Sequence, residues 1–390
     1  MTPKHRTLSI VSAVIAIFFF WASLYTYVPI LPTHALAAGA TDAQLGLILA
    51  SYGLTQLVFR LPLGLLSDRL RRKKVFALLG ALLVTGSAVG LAFAHGPLSL
   101  FLFRALSGCA ATAWVTITVL YNSHFPIEQA VRSVSQLNLL AAIGQIVAMS
   151  SGGWLAEQWG AQAAFWASAL LSVPALLAFS LVHDVRTSSG PGITWAAFGR
   201  AISTPRLLLV SGLAACSQFA FFATALGYAA VHAQAHSASD AQLGILTTAV
   251  QVTKALPSLL MSVLRRPRHG NRMVAAGLAL IAASLFFFPA LTDLRWMIVS
   301  QAVVGIGVGM SFPILMGLAL QAVEPEARAS AMGVFQSIYA VGMTLGPLFS
   351  GVIAGWSGIW GVYLTNGVLL VIAALAAALL LRSQVQLEPA

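Results

Sequence analysis

The sequence predicts an all-α membrane protein of twelve transmembrane helices in two pseudo-symmetric six-helix bundles. Three observations carry this expectation: a scarcity of charge, apolar runs of bilayer-spanning length, and two halves that match at a fixed offset. Of 390 residues, 59% are hydrophobic and only 8% charged, with a mean hydropathy of +0.88. A soluble domain carries roughly 25% charged residues, because water must be met by polar groups. A chain this poor in charge cannot cover a water-facing surface, so its solvent is largely lipid. The net charge of +11 could suggest nucleic acid. The basic residues, however, form short clusters between long apolar runs, a pattern of membrane topology rather than of phosphate binding.

A bilayer core of about 30 Å needs roughly 20 apolar residues of helix, and a helix hides its own backbone polar groups from lipid. The expected spans begin with 8–32, 43–66, 74–94, 97–121, 134–156 and 161–182. After a polar linker come 206–232, 241–264, 272–291, 295–321, 329–355 and 358–382. The start, Lys4-His5-Arg6 before an apolar stretch, has the look of a secretory signal ending at HALAAGA. The stretch from Leu8 to Pro32 is too long for a signal core, and further spans follow, so it reads as the first helix. Cys109 and Cys216 lie inside apolar runs and suggest neither a disulfide nor a metal site.

Twelve spans put both termini on one side, and charge decides which. Of the 21 Lys and Arg, 17 fall at the N-terminus, in loops after even-numbered spans, or at the C-terminus. Arg295 lies on the opposite face, and Arg60, Arg104 and Lys254 lie within spans. The positive-inside rule therefore places both termini in the cytoplasm of a multi-pass plasma (inner) membrane protein.

The halves repeat. TDAQLG (Thr41 to Gly46) recurs as SDAQLG (Ser239 to Gly244), an offset of 239 − 41 = 198. Gly144, Gly152 and Gly153 map at that offset onto Gly342, Ser350 and Gly351, and RALSG (Arg104 to Gly108) aligns with QAVVG (Gln301 to Gly305). The domains expected are residues 1–182, a cytoplasmic linker 183–205, and residues 206–390. Within the linker, TWAAFGRAI suggests a short amphipathic helix at the inner surface. Two similar bundles rocking about a mid-membrane site are how many carriers are built.

After span 2 the chain reads GLLSDRLRRKK, Gly64 to Lys74. This resembles the loop motif of the major facilitator superfamily: a glycine, an acid, then a basic run. The resemblance implies a cytoplasmic gate formed by Gly64, Asp68, Arg69 and Arg72, with Asp68 docking on the start of span 11 near Ala329 to Gly333. A carboxylate beside a helix N-terminus gains about 0.3–1 kcal/mol, which suits a latch that must also open. The glycine expected before the basic run is Arg71 here, so the turn lacks its permissive residue. The second-half loop VLRRPRHGNR (Val263 to Arg272) keeps the basic run without the acid.

The resemblance spans the whole chain and includes the arginine of span 4. Span 11 carries GMTLGPLFSG (Gly342 to Gly351), similar to the Gly-Pro motif that antiporters of the superfamily show in span 5. It adds Gly342, Gly346 and Pro347 to the gate, since small residues let helices approach and Pro frees one backbone bond. Tight packing alone would explain the same residues. Span 5 itself has Ala148-Met149 where Gly-Pro is expected, which counts against a direct drug/proton antiporter reading.

All ten acids and all eight histidines map to loops or helix ends. Proton-driven carriers commonly keep an ionisable carboxylate or histidine within a span; none is found. Asp42 and Asp240, at symmetric outer ends of spans 2 and 8, sit in Thr41-x-x-Gln44 and Ser239-x-x-Gln242 capping boxes, where an acid complements the helix dipole. The charges inside spans are basic. Arg60 could pair with Asp68 or snorkel, Arg104 matches the family's span 4 arginine, and Lys254 is the repeat partner of Gln56. The candidate substrate-binding set is Trp21, Tyr25, Gln56, Arg60, Arg104, Gln218, Lys254, Gln301, Gln336 and Tyr339.

These readings converge on a secondary carrier working by alternating access on a small organic solute, anionic or neutral-amphiphilic. The alternative is a proton-coupled multidrug efflux antiporter. A membrane enzyme would need a nucleophile or metal cluster at one depth, and none is present in the sequence. No GxxxxGK[ST] loop appears, so ATP is not the direct energy source. The expected partners are the substrate, membrane lipids and a coupling H+, with no nucleic acid, cofactor or metal, and the chain is expected to act as a monomer.

Overall fold

A computed structural model describes residues 3–70, 72–126, 129–184, 199, 201–263, 270–324 and 327–381. Every regular element among them is helical. In chain order these are α1 (Pro3–Tyr25), α2 (Leu31–Ala37), α3 (Asp42–Leu70), α4 (Lys73–Ala92), α5 (Pro97–Ala111), α6 (Trp114–Asn122), α7 (Ala130–Trp159) and α8 (Ala161–Leu181). The second half comprises α9 (Pro205–Ala220), a π-helical segment (Phe221–Tyr228), α10 (Ala229–Ala235), α11 (Asp240–Val263), α12 (Gly270–Phe287), α13 (Leu294–Gln321) and α14 (Arg328–Leu380).

Nine helices among the described residues are long and apolar enough to cross a bilayer. One of them, Ser330–Leu380, has 51 residues; at 1.5 Å per residue a straight rod of that size would run to about 76 Å. It does not run straight, because Gly358 has φ 66° and ψ −164°, and the chain there joins two helices. A positive φ is readily adopted only by glycine. Helices α3 and α11 are not among the nine; each carries a cation and amides along its length. The surface is apolar where water would not tolerate it: Trp356 is 86% and Leu170 70% exposed. Hydroxyls inside the helices bond back to their own turn, as in Thr26 to the Ala22 carbonyl at 2.7 Å and Thr224 to that of Ala220 at 2.7 Å. That satisfies them without water.

The chain forms two compact units. The first holds Met1–Ala40, Ser51–Gly192 and Ser239–Ile245, and the second Thr41–Ala50, Ile193–Ala238 and Leu246–Ala390. Each half therefore lends the first turns of one helix to the other unit. In the first unit α1 packs on α4, α7 and α8, and α4 on α5 and α8. In the second, α9 packs on α14, and α12 on α13 and α14, which is the same scheme.

The repeat holds at atomic detail within each unit. Ser87 donates to the Phe103 carbonyl at 2.7 Å, and its counterpart Ser284 donates to that of Ser300 at 2.9 Å. A Cβ on Gly108 would lie 2.1 Å from Thr55 Oγ1 and 2.4 Å from the Tyr52 carbonyl; on Gly305 it would lie 2.1 Å from Thr253 Oγ1 and 2.4 Å from the Val250 carbonyl. Both helix crossings thus require a missing side chain at the same place. Both capping boxes form: Thr41 N–H donates to Gln44 Oε1 at 2.9 Å, and Ser239 N–H to Gln242 Oε1 at 2.9 Å.

The structure corrects two of the expected helices. Span 1 does not run unbroken over 8–32: α1 ends at Tyr25, residues 26–30 turn, and α2 restarts at Leu31. Pro29 supplies the reason, since it lacks an N–H and disfavours the α conformation in the residue before it. Span 4 is likewise interrupted at Thr112 and Ala113, between α5 and α6. Of the linker segment TWAAFGRAI, only Gly199, Ala201 and Ile202 are among the described residues, and the rest lies outside them.

Candidate functional site

The break in the first helix positions the first-unit residues. Because residues 26–30 turn instead of continuing α1, Tyr27 comes to face Arg104 of α5, whose Nη1 donates to Tyr27 Oη at 3.0 Å and to Ser107 Oγ at 3.4 Å. The guanidinium lies 4.3 Å from the centre of the Tyr52 ring and 5.5 Å from that of Tyr27. A cation over aromatic faces is held by the ring quadrupole, and more strongly where water is excluded. Arg104 is 6% exposed, and its Nε finds no acceptor among the described residues. The Tyr25 and Tyr52 side chains lie close enough to interact.

Trp21 extends the cluster. Its ring centre is 5.7 Å from that of Tyr25 and 5.1 Å from that of Trp114, and its buried Nε1 also lacks an acceptor among the described residues. Two unsatisfied N–H donors therefore sit in one aromatic cluster. A buried donor left unpaired costs about 1–3 kcal/mol, which makes these two groups candidates for contact with an acceptor.

On α3, Arg60 Nη2 donates to Gln56 Oε1 at 2.7 Å, and Gln56 Nε2 to the Tyr52 carbonyl at 3.3 Å. This relay runs along one face at i, i+4 spacing from Tyr52 to Arg60. Of the first-unit residues read from sequence, Trp21, Tyr25 and Arg104 share one cluster with Tyr52, which ties Gln56 and Arg60 to it. Tyr27, Tyr52 and Trp114 were not on the sequence-derived list. Tyr52 had a signal, lying one turn before Gln56; Tyr27 had none until the helix break was known.

In the second unit the corresponding residues are more dispersed. Lys254 Nζ lies 5.3 Å from the ring centre of Phe221, the first residue of the π-helical segment. That segment occupies the same repeat position as the turn at 26–30, since Pro29 maps onto Gly227 at the 198 offset. Both halves thus interrupt their first helix at one place, by a proline turn in one case and a π-helix in the other; such interruptions recur at functional sites. Gln301, the counterpart of Arg104, is 2% exposed with Oε1 lacking a donor among the described residues. Tyr339 packs on Phe312 and Phe335 with ring centres 5.5 and 5.6 Å away. Gln218 and Gln336 are half-buried on α9 and α14.

Among the gate residues, Gly342 and Gly346 mark where α14 meets α9: a Cβ on either would lie 2.1 Å from the carbonyl oxygen of Ala215 or Phe219, respectively. Pro347 lies in the same helix. Gly64 is in ordinary contact only, 3.9 Å from Val115. Arg69 and Arg72 are exposed at the α3–α4 junction. The side chains of Asp68 and Ala329, and Arg71 altogether, lie outside the described residues. Nearby, Lys73 Nζ donates to Ser67 Oγ at 3.2 Å and the Lys74 N–H to Asp184 Oδ2 at 3.2 Å.

Long apolar helices in two repeated halves, with polar groups buried among them, define a multi-pass membrane protein. The model of the Major Facilitator Superfamily matches residues 13–232 and 208–389, and the chain belongs to that family. The inner membrane transport protein YajR of Escherichia coli (strain K12) is 26% identical over 377 residues, covering 94% of this chain and 80% of that protein. The quinolone resistance protein NorA of Staphylococcus aureus (strain Mu50 / ATCC 700699) is 26% identical over 177 residues, 45% of each chain. Among solved structures, a bacterial homologue of the human lysosomal transporter Spinster, inward-facing and unoccupied, superposes with a TM-score of 0.78 at 17% identity, covering 100% of both chains. The nucleoside transporter NupG gives 0.75 at 18% identity, covering 96% of this chain and 98% of that one. At these identities the likeness to the solved structures shows the fold.

Proposed function

We propose that the chain is a secondary active transporter of twelve spans with both termini cytoplasmic, moving a small organic solute by alternating access. Its substrate is anionic or neutral-amphiphilic. One observation carries the substrate class: the buried polar cluster of the first unit offers the guanidinium of Arg104 and the indole N–H of Trp21, and no carboxylate among the described residues answers them. A cationic drug would find no counter-charge there, whereas a carboxylate or carbonyl would complete both donors. In the first unit Gln56 and Arg60 add donors to this cluster, and in the second Lys254, Gln218, Gln301, Gln336 and Tyr339 are the proposed substrate-binding residues. The chain acts as a monomer.

A second reading, proton-coupled multidrug efflux, draws on the partial similarity to NorA. In that case Arg104 would work with an acid at a helix end, because the described acids lie at ends or in loops. Purified protein in liposomes decides between the two. Candidate solutes are first screened by thermal shift and then tested for counterflow with and without an imposed pH gradient. Counterflow of an anion that ignores the gradient supports the first reading. Gradient-dependent uptake of cationic drugs, with no counterflow of anions, overturns it.

A further inference from the structure

Two histidines stand one turn apart at the end of α10. His232 is 5% exposed, and His236, the residue that follows the helix, is open to solvent. Their spacing of four puts both rings on one face, with centres 4.5 Å apart and planes inclined at 57°. Each ring has one nitrogen held by a carbonyl oxygen. His232 Nε2 donates to the Leu291 carbonyl at 2.9 Å, and His236 Nδ1 donates to the His232 carbonyl at 2.9 Å. A carbonyl only accepts, so those two nitrogens carry the protons. In the neutral rings the opposite nitrogens, Nδ1 of His232 and Nε2 of His236, then hold lone pairs. A ring N–H anchored on a carbonyl, with the other nitrogen left as a base, is the arrangement that metal-binding histidines adopt.

The surroundings fix this geometry within the second unit. Leu291 follows a 3-10 turn over Phe288–Ala290. The His232 ring lies 5.4 Å from that of Phe288, which stacks on Tyr363 with centres 4.7 Å apart. Just past His236 the helix is closed off: Ser237 takes φ 66°, and the Ala238 N–H donates back to the Ala233 carbonyl at 3.0 Å.

The repeat shows what has been added. At the 198 offset His232 falls on His34 (232 − 198 = 34) and His236 on Ala38 (236 − 198 = 38). His34 packs 5.2 Å from the ring of Phe165, the counterpart of Tyr363 (363 − 198 = 165). A histidine packed among aromatic rings is thus common to both halves. Only the second half has a pair.

We propose that His232 and His236 bind a divalent transition-metal ion of the nickel, copper and zinc group through those two lone pairs. The ring spacing suits it. With metal–nitrogen bonds of about 2.0–2.1 Å, two imidazoles at about 90–110° on one ion have centres roughly 4.5–5.2 Å apart. Imidazole suits such ions, whereas Mg2+ and Ca2+ take oxygen ligands. Among the described residues no third His, Cys, Asp or Glu completes a cluster, so the ion keeps water in its other positions and exchanges. Bound there, it staples the last turn of α10.

The test uses the full-length chain in detergent, with Cys109→Ala and Cys216→Ala and a histidine-free affinity tag. Calorimetric titration with NiCl2 should show one tight ion per chain. Saturating NiCl2 should raise the melting temperature by about 2–4 °C, and MgCl2 should not. Loss of an outer partner alone costs a metal site about 10–100-fold, so His236→Ala, which removes a ligand, should weaken Ni2+ at least about tenfold. With CuCl2, electron paramagnetic resonance should show coupling to two ring nitrogens in the parent and one in His236→Ala. His5 and His183, whose rings lie 5.4 Å apart, supply the control, and His5→Ala should leave the affinity unchanged. No Ni2+ binding in the parent overturns the site, as does undiminished affinity in His236→Ala or a loss found in His5→Ala instead. Should His236→Ala fail to fold, His236→Gln is read in its place.

Discussion

Helix α14 offers a controlled test of how closely its first part approaches α9. Gly342 and Gly355 lie in this one helix, and alanine at either gains the same intrinsic helix propensity, about 1 kcal/mol over glycine. Their surroundings differ. A Cβ at Gly355 would meet nothing within 4 Å, whereas at Gly342 it would lie 2.1 Å from the Ala215 carbonyl oxygen and 3.0 Å from Ala215 Cα. The neighbouring atoms are backbone and cannot swing aside. Reaching a tolerable separation of roughly 3.2 Å moves one helix by about 1 Å, and forcing extra atoms into a packed contact costs typically 1–3 kcal/mol. Gly355→Ala should therefore stabilise the protein by up to about 1 kcal/mol, and Gly342→Ala destabilise it by up to about 2 kcal/mol net. Gly144, the repeat counterpart, should fall between them, its Cβ lying 2.7 Å from the Phe18 carbonyl oxygen. Thermal unfolding in one detergent orders the three variants. A Gly342→Ala protein as stable as Gly355→Ala would refute the close contact and its place in the gate.

Lys254→Gln should weaken binding of an anionic solute at least tenfold, read by thermal shift against ligand concentration; unchanged affinity removes Lys254 from the site. Asp68→Asn should slow turnover in counterflow far more than it lowers affinity, and normal turnover discredits the cytoplasmic latch. His34, on α2 between the first two spans, is held below its ordinary 6.5 chiefly by burial, which outweighs the opposing pull of the Asp240 carboxylate. The unfolded chain then takes up this proton before the folded one does, so His34 costs stability as the pH falls through and below 6.5 and nothing well above it. His34→Phe keeps a ring against Phe165, 5.2 Å away in the native protein, and should flatten the loss of melting temperature between pH 7.5 and 5.5; equal losses in both proteins would refute the assignment.

The helices were legible because lipid imposes a simple rule: about 20 apolar residues per crossing, with every backbone group bonded internally. Most helix ends accordingly lie within a few residues of those read from hydropathy. The repeat was legible too, because TDAQLG and SDAQLG encode a capping box plus a glycine, and each part has a geometric job. The boxes close in both halves, and Gly46 and Gly244 each face a glycine of another helix. The glycines mapped in span 5 and span 11 turned out to be those facing partners, Gly153 and Gly351.

What hydropathy could not reveal were interruptions inside apolar runs. Residues 26–30 and 221–228 are as hydrophobic as the helices around them, so no sliding window separates a turn or a π-helix from an α-helix there. Pro29 was the single local clue in the first half, and Gly227, its counterpart, is weaker. The consequence reaches the candidate site, because Tyr27 meets Arg104 only by virtue of that turn. Sequence reading found the cation and missed its aromatic cage for one reason: the cation violates the membrane's rule and stands out, whereas a tyrosine in an apolar run obeys it.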